Sequence, residues 1–429
     1  MTPVSSCYST RLALPPSCIA FCHQAPTFFV VGTYFLESSS GGAGDAAQVD
    51  ASGSPGAQRQ QQQQQEAQKR SGSLVVFEIS GDGGSIQEVQ TVQLDSGVLD
   101  VQWQPASSIE TSDGRYLLAV ATSTGLVQVY RLDGQRKHLS HLSTYQICDQ
   151  DTLALSLQWH PCLPGTMGVT LSDGRVCLVH SLYKAGHDGG SDGTGGREPW
   201  SSTVGIEVTT ITTHELEAWW LAFSLPPVLT SSDGDSQIRL FSGGDDARLT
   251  CSLLSSTASA SAEEDLGPVT IWQDRKIHQA GVTYILPLTA DLVLTGSYDD
   301  HLRLLSVPTQ MGVGKPKELA QEDLGGGVWR LKILKGDVSS GRILLLASCM
   351  YAGAKVVRLT QQEAAAGDRW TFEIVARFEE HQSMNYGSDV YLPPSGDTGD
   401  TNGSAREWTV ISTSFYDKLM CLWKVPVDS

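Results

Sequence analysis

Short apolar segments alternate with turns along most of the chain. Runs rich in Val, Leu, Ile and Tyr are separated by clusters of Gly, Asp and Ser, and the 3.6-residue periodicity of an amphipathic helix is nearly absent. The stretch "LAVATSTGLVQVY" (118–130) shows the typical unit, an apolar strand followed by a small-residue turn and a second strand. The pattern therefore predicts an all-β fold.

This unit recurs along the sequence. The stretches "VLDVQWQP" (98–105) and "ALSLQWHP" (154–161) are near copies, and each is followed by a strand, a turn and another strand. In three later repeats an Asp is expected at one equivalent turn position, which gives Asp245, Asp299 and Asp417. Such turns are typical of WD repeats, so the sequence predicts the blades of a β-propeller.

The repeats predict seven blades in a single domain, 1–429, closed into a ring by an N-terminal strand. The last repeat ends at "LMCLWKV" with no fourth strand, so "STRLAL" (9–14) is expected to pair there and to cover the open sheet edges. The blades are expected at residues 18–80, 97–147, 151–213, 214–275, 278–324, 326–380 and 384–425.

Two segments are too polar to pack into the ring. One is 38–73, which contains the polyglutamine run 60–65, and the other is 185–196, which is rich in Gly, Asp and Ser. Neither segment can bury enough apolar area to offset its ordering entropy. Both are therefore predicted to be disordered insertions.

Composition narrows the possible functions. The 429 residues contain no apolar run long enough to cross a membrane and no signal-peptide pattern, so a cytoplasmic protein without a membrane partner is expected. The net charge of -18 disfavours nucleic acid and favours a basic protein surface as partner. The nine scattered cysteines form no Cys-x-x-Cys pair, which indicates reduced thiols rather than a metal site. We expect a monomer without metal or cofactor.

Several stretches in the second half of the chain carry a family resemblance. They are "HELEAWWLAF" (214–223), "SGGDD" (242–246), "LTGSYDDHLRLL" (294–305), "GGVWRLKI" (326–333), "ASCMYAG" (347–353) and "SFYDKLMCLW" (414–423). Together they resemble the WD-repeat diphthine methyl esterases of diphthamide biosynthesis, clearly over 214–425 and more weakly before. The resemblance implies hydrolysis of the methyl ester of methylated diphthine, a modified histidine of translation elongation factor 2, which would be the partner.

Ester hydrolysis needs a nucleophile or an activated water, a base and donors for the oxyanion. The only Gly-x-Ser-x-Gly match, 189–193, lies in a low-complexity segment without the strand and helix of a nucleophile elbow, so we interpret it as chance. There is also no His-Glu-x-x-His motif. The candidate catalytic residues are therefore His214, Glu217 and Arg330.

His214 has two interpretations. Like His278, it occupies the position of the structural histidine of a WD repeat, where His214 would only pair with Asp245, and His278 with Asp299. A histidine held by an aspartate is also the arrangement of a general base, and nearby acids favour His214 for that role. Glu217 precedes the innermost strand of blade four, where it either faces the rim of the channel or is simply solvated.

Three consecutive glycines, 325–327, enter the innermost strand of blade six just before Trp329 and Arg330. Glycine permits positive φ and close backbone approach, so this corner is expected to form part of the substrate pocket. Arg330 would bind a carboxylate or the oxyanion, and Trp329 or Trp219 would stack on the quaternary ammonium of diphthine. The alternative is an inter-blade salt bridge beside a buried Trp. The remaining substrate-binding candidates are Gly326, Gly327 and Tyr386.

A competing hypothesis from another functional class is a non-catalytic WD-repeat scaffold that only docks proteins. Propellers serve both purposes, so the fold alone does not decide. The missing nucleophile motif favours the scaffold, and the ordered family stretches favour the esterase. A subunit of a trafficking assembly is a third option, based on fold analogy alone.

Overall fold

The computed structural model describes residues 2–37, 69–105, 115–182, 199–224, 238–254, 268–309, 314–362, 369–392 and 407–426. Every regular element in these ranges is a β-strand. The described residues thus include no helix that is long and apolar enough to span a membrane. The strands form seven sheets, which confirms the predicted all-β, seven-bladed propeller.

The first half of the chain forms two N-terminal strands and three blades. The N-terminal strands are β1 (Thr2–Val4) and β2 (Ser6–Arg11). Blade one contains β3 (Pro16–Phe21), β4 (Phe28–Thr33), the short β5 (Phe35–Leu36), β6 (Arg70–Ile79) and β7 (Ile86–Leu94). Blade two contains β8 (Val98–Trp103), β9 (Arg115–Thr122), β10 (Leu126–Asp133) and β11 (His138–Gln146). Blade three contains β12 (Ala154–Trp159), β13 (Thr166–Leu171), β14 (Arg175–Ser181) and β15 (Ile206–Thr213).

The second half forms the remaining four blades. Blade four contains β16 (Ala218–Phe223), β17 (Ile238–Gly244), β18 (Leu249–Leu254) and β19 (Val269–Asp274). Blade five contains β20 (Val282–Pro287), β21 (Leu292–Ser297), β22 (His301–Ser306) and β23 (Lys317–Asp323). Blade six contains β24 (Arg330–Asp337), β25 (Arg342–Ser348), β26 (Ala354–Gln362) and β27 (Arg369–Phe378), and blade seven contains β28 (Gly387–Tyr391), β29 (Glu407–Ser414) and β30 (Leu419–Pro426).

Each blade is an antiparallel meander, and its two faces pack against the neighbouring blades. The second strands are buried on both faces, as in β13 and β17, whereas the outermost strands, such as β15, are largely exposed. This burial explains why the inner strands appear in the sequence as continuous apolar runs rather than as alternating patterns. The core is therefore a series of apolar layers between blades.

The two near-copy stretches of the sequence have the same role in this packing. Trp103 ends β8 and donates its indole N–H to the carbonyl of Ala20 in blade one, at 3.1 Å. Trp159 ends β12 and donates in the same way to Gln102 in blade two, at 2.9 Å. Each Trp buries its ring between blades while its polar edge is satisfied by the previous blade.

The N-terminal residues close the ring as predicted. Strand β2 pairs with β30 and supplies the fourth strand of blade seven, while β1 pairs in parallel with β27 of blade six. The closing strand ends at Arg11 rather than at residue 14, because after a last backbone bond from Leu12 to Lys418 the chain turns into β3. The expected segment 9–14 was thus placed too far along the chain.

Blade one differs from its predicted range, 18–80, in two ways. Its fourth strand, β7, follows residue 80, and its alternating polar sequence explains why the apolar pattern did not include it. Residues 70–73 of the predicted insertion belong to β6, where Ser73 is buried and hydrogen-bonded to Thr33 at 2.7 Å. Residues 38–68 of that insertion and the segment 185–196 lie outside the described residues.

Candidate functional site

The first strand of each blade lines a central channel. Strands β3, β8, β12, β16, β20, β24 and β28 contact one another in sequence around the ring, and side chains alternate along each of them, so every second one faces the axis. Inside the channel is a cavity of about 100 Å³. The lining side chains that matter below are Cys18, Asp100, Trp220, Tyr284, Arg330 and Asp389.

Arg330, the first residue of β24, faces this cavity. Its guanidinium carbon lies 4.4 Å from the ring centroid of Trp220 and 4.8 Å from that of Trp329. One guanidinium nitrogen donates to the carbonyl oxygen of Trp329 at 2.9 Å. Within the described ranges no carboxylate forms an ion pair with Arg330, so the inter-blade salt bridge considered above is not found there. The remaining N–H groups of Arg330 can serve a ligand.

Beside Arg330, five half-buried rings form a continuous cluster that we call the aromatic crescent: Trp219, Tyr298, Trp329, Tyr386 and Phe415. The ring centroid of Trp329 lies 5.6 Å from that of Trp219, 5.9 Å from Tyr298 and 5.2 Å from Tyr386. Tyr386 in turn lies 5.6 Å from Phe415. The structure thus brings together Trp219, Trp329 and Tyr386, which come from three different blades.

Two carboxylates border the aromatic crescent. The Asp245 carboxylate accepts a hydrogen bond from the indole N–H of Trp219 at 3.1 Å, and the backbone N–H of Asp245 donates to the carbonyl of Glu217 at 2.8 Å. Burial raises the pKa of the Tyr298 hydroxyl, and the nearby negative charges of Asp245 and Glu217 raise it further. Tyr298 therefore stays neutral beside the two acids.

The turn position of the WD repeat that was predicted for Asp245 is occupied by the next residue, Asp246. The Asp246 carboxylate accepts the backbone N–H of Glu215 at 2.9 Å, as the Asp299 carboxylate accepts that of Gln279 at 2.9 Å. Asp246 and Asp299 each precede a residue with positive φ, and Asp417 has the same backbone position. Because Asp245 precedes this turn position, its side chain is free to face Trp219 instead.

His214 is buried, and both of its ring nitrogens are occupied within blade four. Nδ1 lies 3.0 Å from the Asp246 carboxylate, and Nε2 lies 2.9 Å from the hydroxyl of Ser242. The expected pairing with Asp245 is therefore wrong by one residue. Both ring nitrogens of His214 thus hold the turn of its blade, which favours the structural interpretation over a general base.

His278 and His381 are the equivalent histidines of blades five and seven. Nε2 of His278 bonds to Thr295 at 2.9 Å, and Nε2 of His381 bonds to Ser412 at 2.7 Å. Burial lowers the pKa of both imidazoles to about 4, so both are neutral at physiological pH. The expected direct pairing of His278 with Asp299 is not observed, because that carboxylate bonds instead to Arg303 at 2.8 Å.

The three glycines before β24 meet different constraints. Gly325 has a φ of 71°, the left-handed region that favours glycine. A Cβ on Gly326 would clash with the carbonyl oxygen of Cys349, and one on Gly327 would lie 2.6 Å from the sulfur of Met350. The glycines therefore let the backbone approach the aromatic crescent closely. This close approach positions Trp329 and Arg330.

Two buried acids deeper in the channel were not singled out from the sequence. The Asp100 carboxylate accepts the backbone N–H of Leu157 at 3.1 Å. The Asp389 carboxylate accepts that of Phe21 at 2.8 Å and pairs with the Lys332 ammonium at 2.9 Å. An acid within an apolar strand, as in "VLDVQW", is the sequence signal for such a group, since unpaired Asp is rarely buried.

Comparison with known proteins gives two similar sequences and a similar fold, while no family model matches the chain. The diphthine methyltransferase of Schizosaccharomyces pombe is 29% identical over 358 residues, covering 83% of this chain and 86% of that protein. The diphthine methyltransferase of Saccharomyces cerevisiae is 25% identical and covers 97% of both chains. Both relatives support the resemblance to WD-repeat proteins of diphthamide biosynthesis, but their name, methyltransferase, does not confirm the expected esterase.

The structural comparison concerns the fold alone. The β-propeller domain of Cps50 (Swd1) from Myceliophteria thermophila superposes with a TM-score of 0.53 at 11% sequence identity. The match covers 97% of this chain and 99% of that domain. At this level of identity, the similarity supports the propeller architecture and gives no information about the chemistry of the channel.

Proposed function

We propose that the protein hydrolyses the methyl ester of methylated diphthine on translation elongation factor 2, giving diphthine and methanol. The observation that carries this proposal is the position of Arg330, which has no ion-pair partner among the described residues, directly beside the aromatic crescent. In methylated diphthine, the quaternary ammonium and the ester carbonyl are attached to the same carbon atom. A site for this residue must therefore present a cation-binding surface and a carbonyl-binding donor side by side.

The aromatic crescent supplies the cation-binding surface. Aromatic faces attract a quaternary ammonium by roughly 0.5 to 2 kcal/mol each, depending on desolvation. Trp219, Trp329 and Tyr386 pack against one another, with centroid separations of 5.6 Å and 5.2 Å, so together they can present one continuous aromatic surface to such a group. The carboxylates of Asp245 and Glu217 at the edge of the crescent add electrostatic attraction for the same cation.

Arg330 supplies the donor for the carbonyl. Hydrolysis of an ester passes through a tetrahedral intermediate whose oxygen is negatively charged, and a preorganised donor stabilises this charge. The guanidinium is held in place by stacking between Trp220 and Trp329. Removal of one oxyanion donor typically lowers kcat by roughly 10²- to 10³-fold.

The name shared by the two relatives favours a second candidate function, transfer of a methyl group to diphthine. Transfer and hydrolysis act on the same carboxyl group and need the same recognition of the ammonium. They differ in the direction of the methyl change and in the co-reactant, which is a methyl donor in one case and water in the other.

The test is to incubate the purified protein with elongation factor 2 that carries methylated diphthine, in buffer without a methyl donor. We expect the modified peptide to lose the mass corresponding to one methyl group, with release of methanol. A gain of methyl mass on diphthine in the presence of S-adenosylmethionine would favour transfer instead. Tight binding of the elongation factor without any mass change would favour the scaffold.

A matched pair of variants tests the role of Arg330. Arg330→Ala is expected to lower kcat by about 10²- to 10³-fold, because the oxyanion loses its donor. Arg342→Ala removes an exposed arginine from the neighbouring strand of the same blade and should leave turnover unchanged. Equal activity of the two variants would exclude Arg330 from the site.

A further inference from the structure

Asp100 lies in the same cavity as Arg330, although the two residues are far apart in the sequence. Its side chain comes from β8 in blade two, and that of Arg330 from β24 in blade six. Asp100 is only 2% exposed, and aspartates are rarely buried to that degree without a partner. Its position in the channel therefore calls for a physical explanation.

One explanation is structural, and Asp389 provides the comparison. Each of the two acids accepts a backbone N–H from the innermost strand of the next blade, Asp100 from Leu157 and Asp389 from Phe21. The charge of Asp389 is also neutralised by Lys332 at 2.9 Å. Asp100 lacks such an ion pair among the described residues. Besides the N–H of Leu157 it accepts the backbone N–H of Val101, and the side-chain amide of Gln102 makes long contacts with it, at 3.4 Å.

We propose that Asp100 is the general base that activates water for attack on the ester. This assignment rests on the proposed hydrolysis. The carboxylate takes a proton from a water molecule, whose oxygen forms a bond to the ester carbonyl carbon, and Arg330 stabilises the resulting oxyanion. When the bond between that carbon and the methoxy oxygen breaks, Asp100 returns the proton to the leaving oxygen. The products are the carboxylic acid and methanol, with water as the only co-reactant.

The surroundings of Asp100 support a base of increased strength. Burial raises the pKa of the Asp100 carboxyl, and the positive charge of Arg330 opposes part of this rise. The other titratable groups that face it are the Cys18 thiol from β3 and the Tyr284 hydroxyl from β20. His23, Lys332 and Asp389 line the remainder of the cavity.

Cys18 is the alternative reactive group at this level of the channel. Burial raises the pKa of its thiol to about 12, and the charge of Asp100 acts in the same direction. A thiol with this pKa is protonated at neutral pH, and the thiolate is the nucleophilic form of cysteine. Water activated by Asp100 is therefore the better candidate for the attacking group.

The test compares Asp100→Asn with Asp389→Asn, since both variants keep the oxygen that accepts a backbone N–H. We expect Asp100→Asn to lower kcat on methylated elongation factor 2 by roughly 10²- to 10⁴-fold with little change in KM. The wild-type rate should fall on acidification through the raised pKa of Asp100, and this acid limb should disappear in the variant. Asp389→Asn should lose stability, because Lys332 loses its ion pair at 2.9 Å, but it should keep the acid limb of the wild-type pH profile.

Similar kcat values for Asp100→Asn and the wild type, or equal losses in both variants, would overturn the assignment. If Asp100→Asn does not fold, Asp100→Glu replaces it. Glu keeps a carboxylate but moves it by one methylene, so partial activity with a shifted acid limb is expected, and an unchanged pH profile would overturn the assignment. Failure of the wild type itself to remove the methyl group would instead refute the proposed hydrolysis, and the role of Asp100 with it.

Discussion

Replacement of His214 by Ala separates a structural role from a catalytic one. The imidazole bonds to the Asp246 carboxylate at 3.0 Å and to the Ser242 hydroxyl at 2.9 Å. The variant leaves both groups without this partner in a buried turn. We therefore expect the variant to lose stability, while each folded molecule keeps its full turnover on methylated elongation factor 2.

The magnitude follows from the partners that are lost. A buried polar group left without its hydrogen bond costs roughly 1 to 3 kcal/mol, so two such groups predict a loss of about 2 to 6 kcal/mol in the free energy of unfolding. His278→Ala is the matched control, because it removes the same ring but only one side-chain bond, to Thr295. The difference between the two variants isolates the bond to Asp246, for which we expect about 1 to 3 kcal/mol.

The assay is urea denaturation followed by Trp fluorescence, combined with methanol release per folded molecule at a temperature where both variants are native. Equal stabilities of His214→Ala and His278→Ala would refute the role of the Asp246 bond. A fall of about 10²-fold or more in kcat for folded His214→Ala would show that the imidazole acts as a base, in conflict with its burial.

Three further outcomes are expected. Trp329→Ala should weaken binding of the methylated diphthine peptide by about 0.5 to 2 kcal/mol, measured by calorimetry, but should not change binding of an analogue with a neutral tert-butyl group. Gly326→Ala should lower the midpoint of thermal unfolding, because a Cβ there would clash with a backbone carbonyl, whereas Gly81→Ala, with nothing within 4 Å, should not. The free energy of unfolding should fall as the pH decreases from about 6.5 to about 4, because His278 and His381 take up protons at their ordinary pKa of 6.5 only when unfolded. Denaturation at several pH values measures this fall, which should be up to about 1.4 kcal/mol per pH unit for each histidine and smaller in His278→Gln.

The propeller could be predicted because each blade is formed by consecutive strands joined by short turns. The pattern of a blade is therefore visible within one stretch of the sequence. The repeated "QW" strands indicated the innermost strands directly, since Trp103 and Trp159 make the same bond to the previous blade. Strand β7 was missed because its alternating polar residues do not form an apolar run. The outermost strand of a blade is exposed, so little apolar burial constrains its sequence.

The site was predictable only in part. The sequence grouped Trp219, Trp329 and Tyr386, and the structure places these three rings in contact in the order given. The sequence could not show whether Asp245 or Asp246 occupies the turn position of the WD repeat. The side chains of two adjacent residues in a turn point in different directions, so a shift of one residue exchanges their roles. It also gave no reason to connect Asp100 with Arg330, whose proximity exists only once the ring has closed.

Closure of the ring has a consequence for the order in which the protein is built. The hydrogen bond between Ser6 and Glu380 spans 374 positions, and β2 must wait for β30, which the ribosome makes after all the other strands of the ring. Each blade can form from neighbouring segments as they emerge. Until β2 pairs with β30, however, the incomplete ring exposes a sheet face and an edge at each of its ends. Strand β2 thus emerges before the blades but pairs only after they have formed, and the nascent chain is open to mispairing throughout this interval.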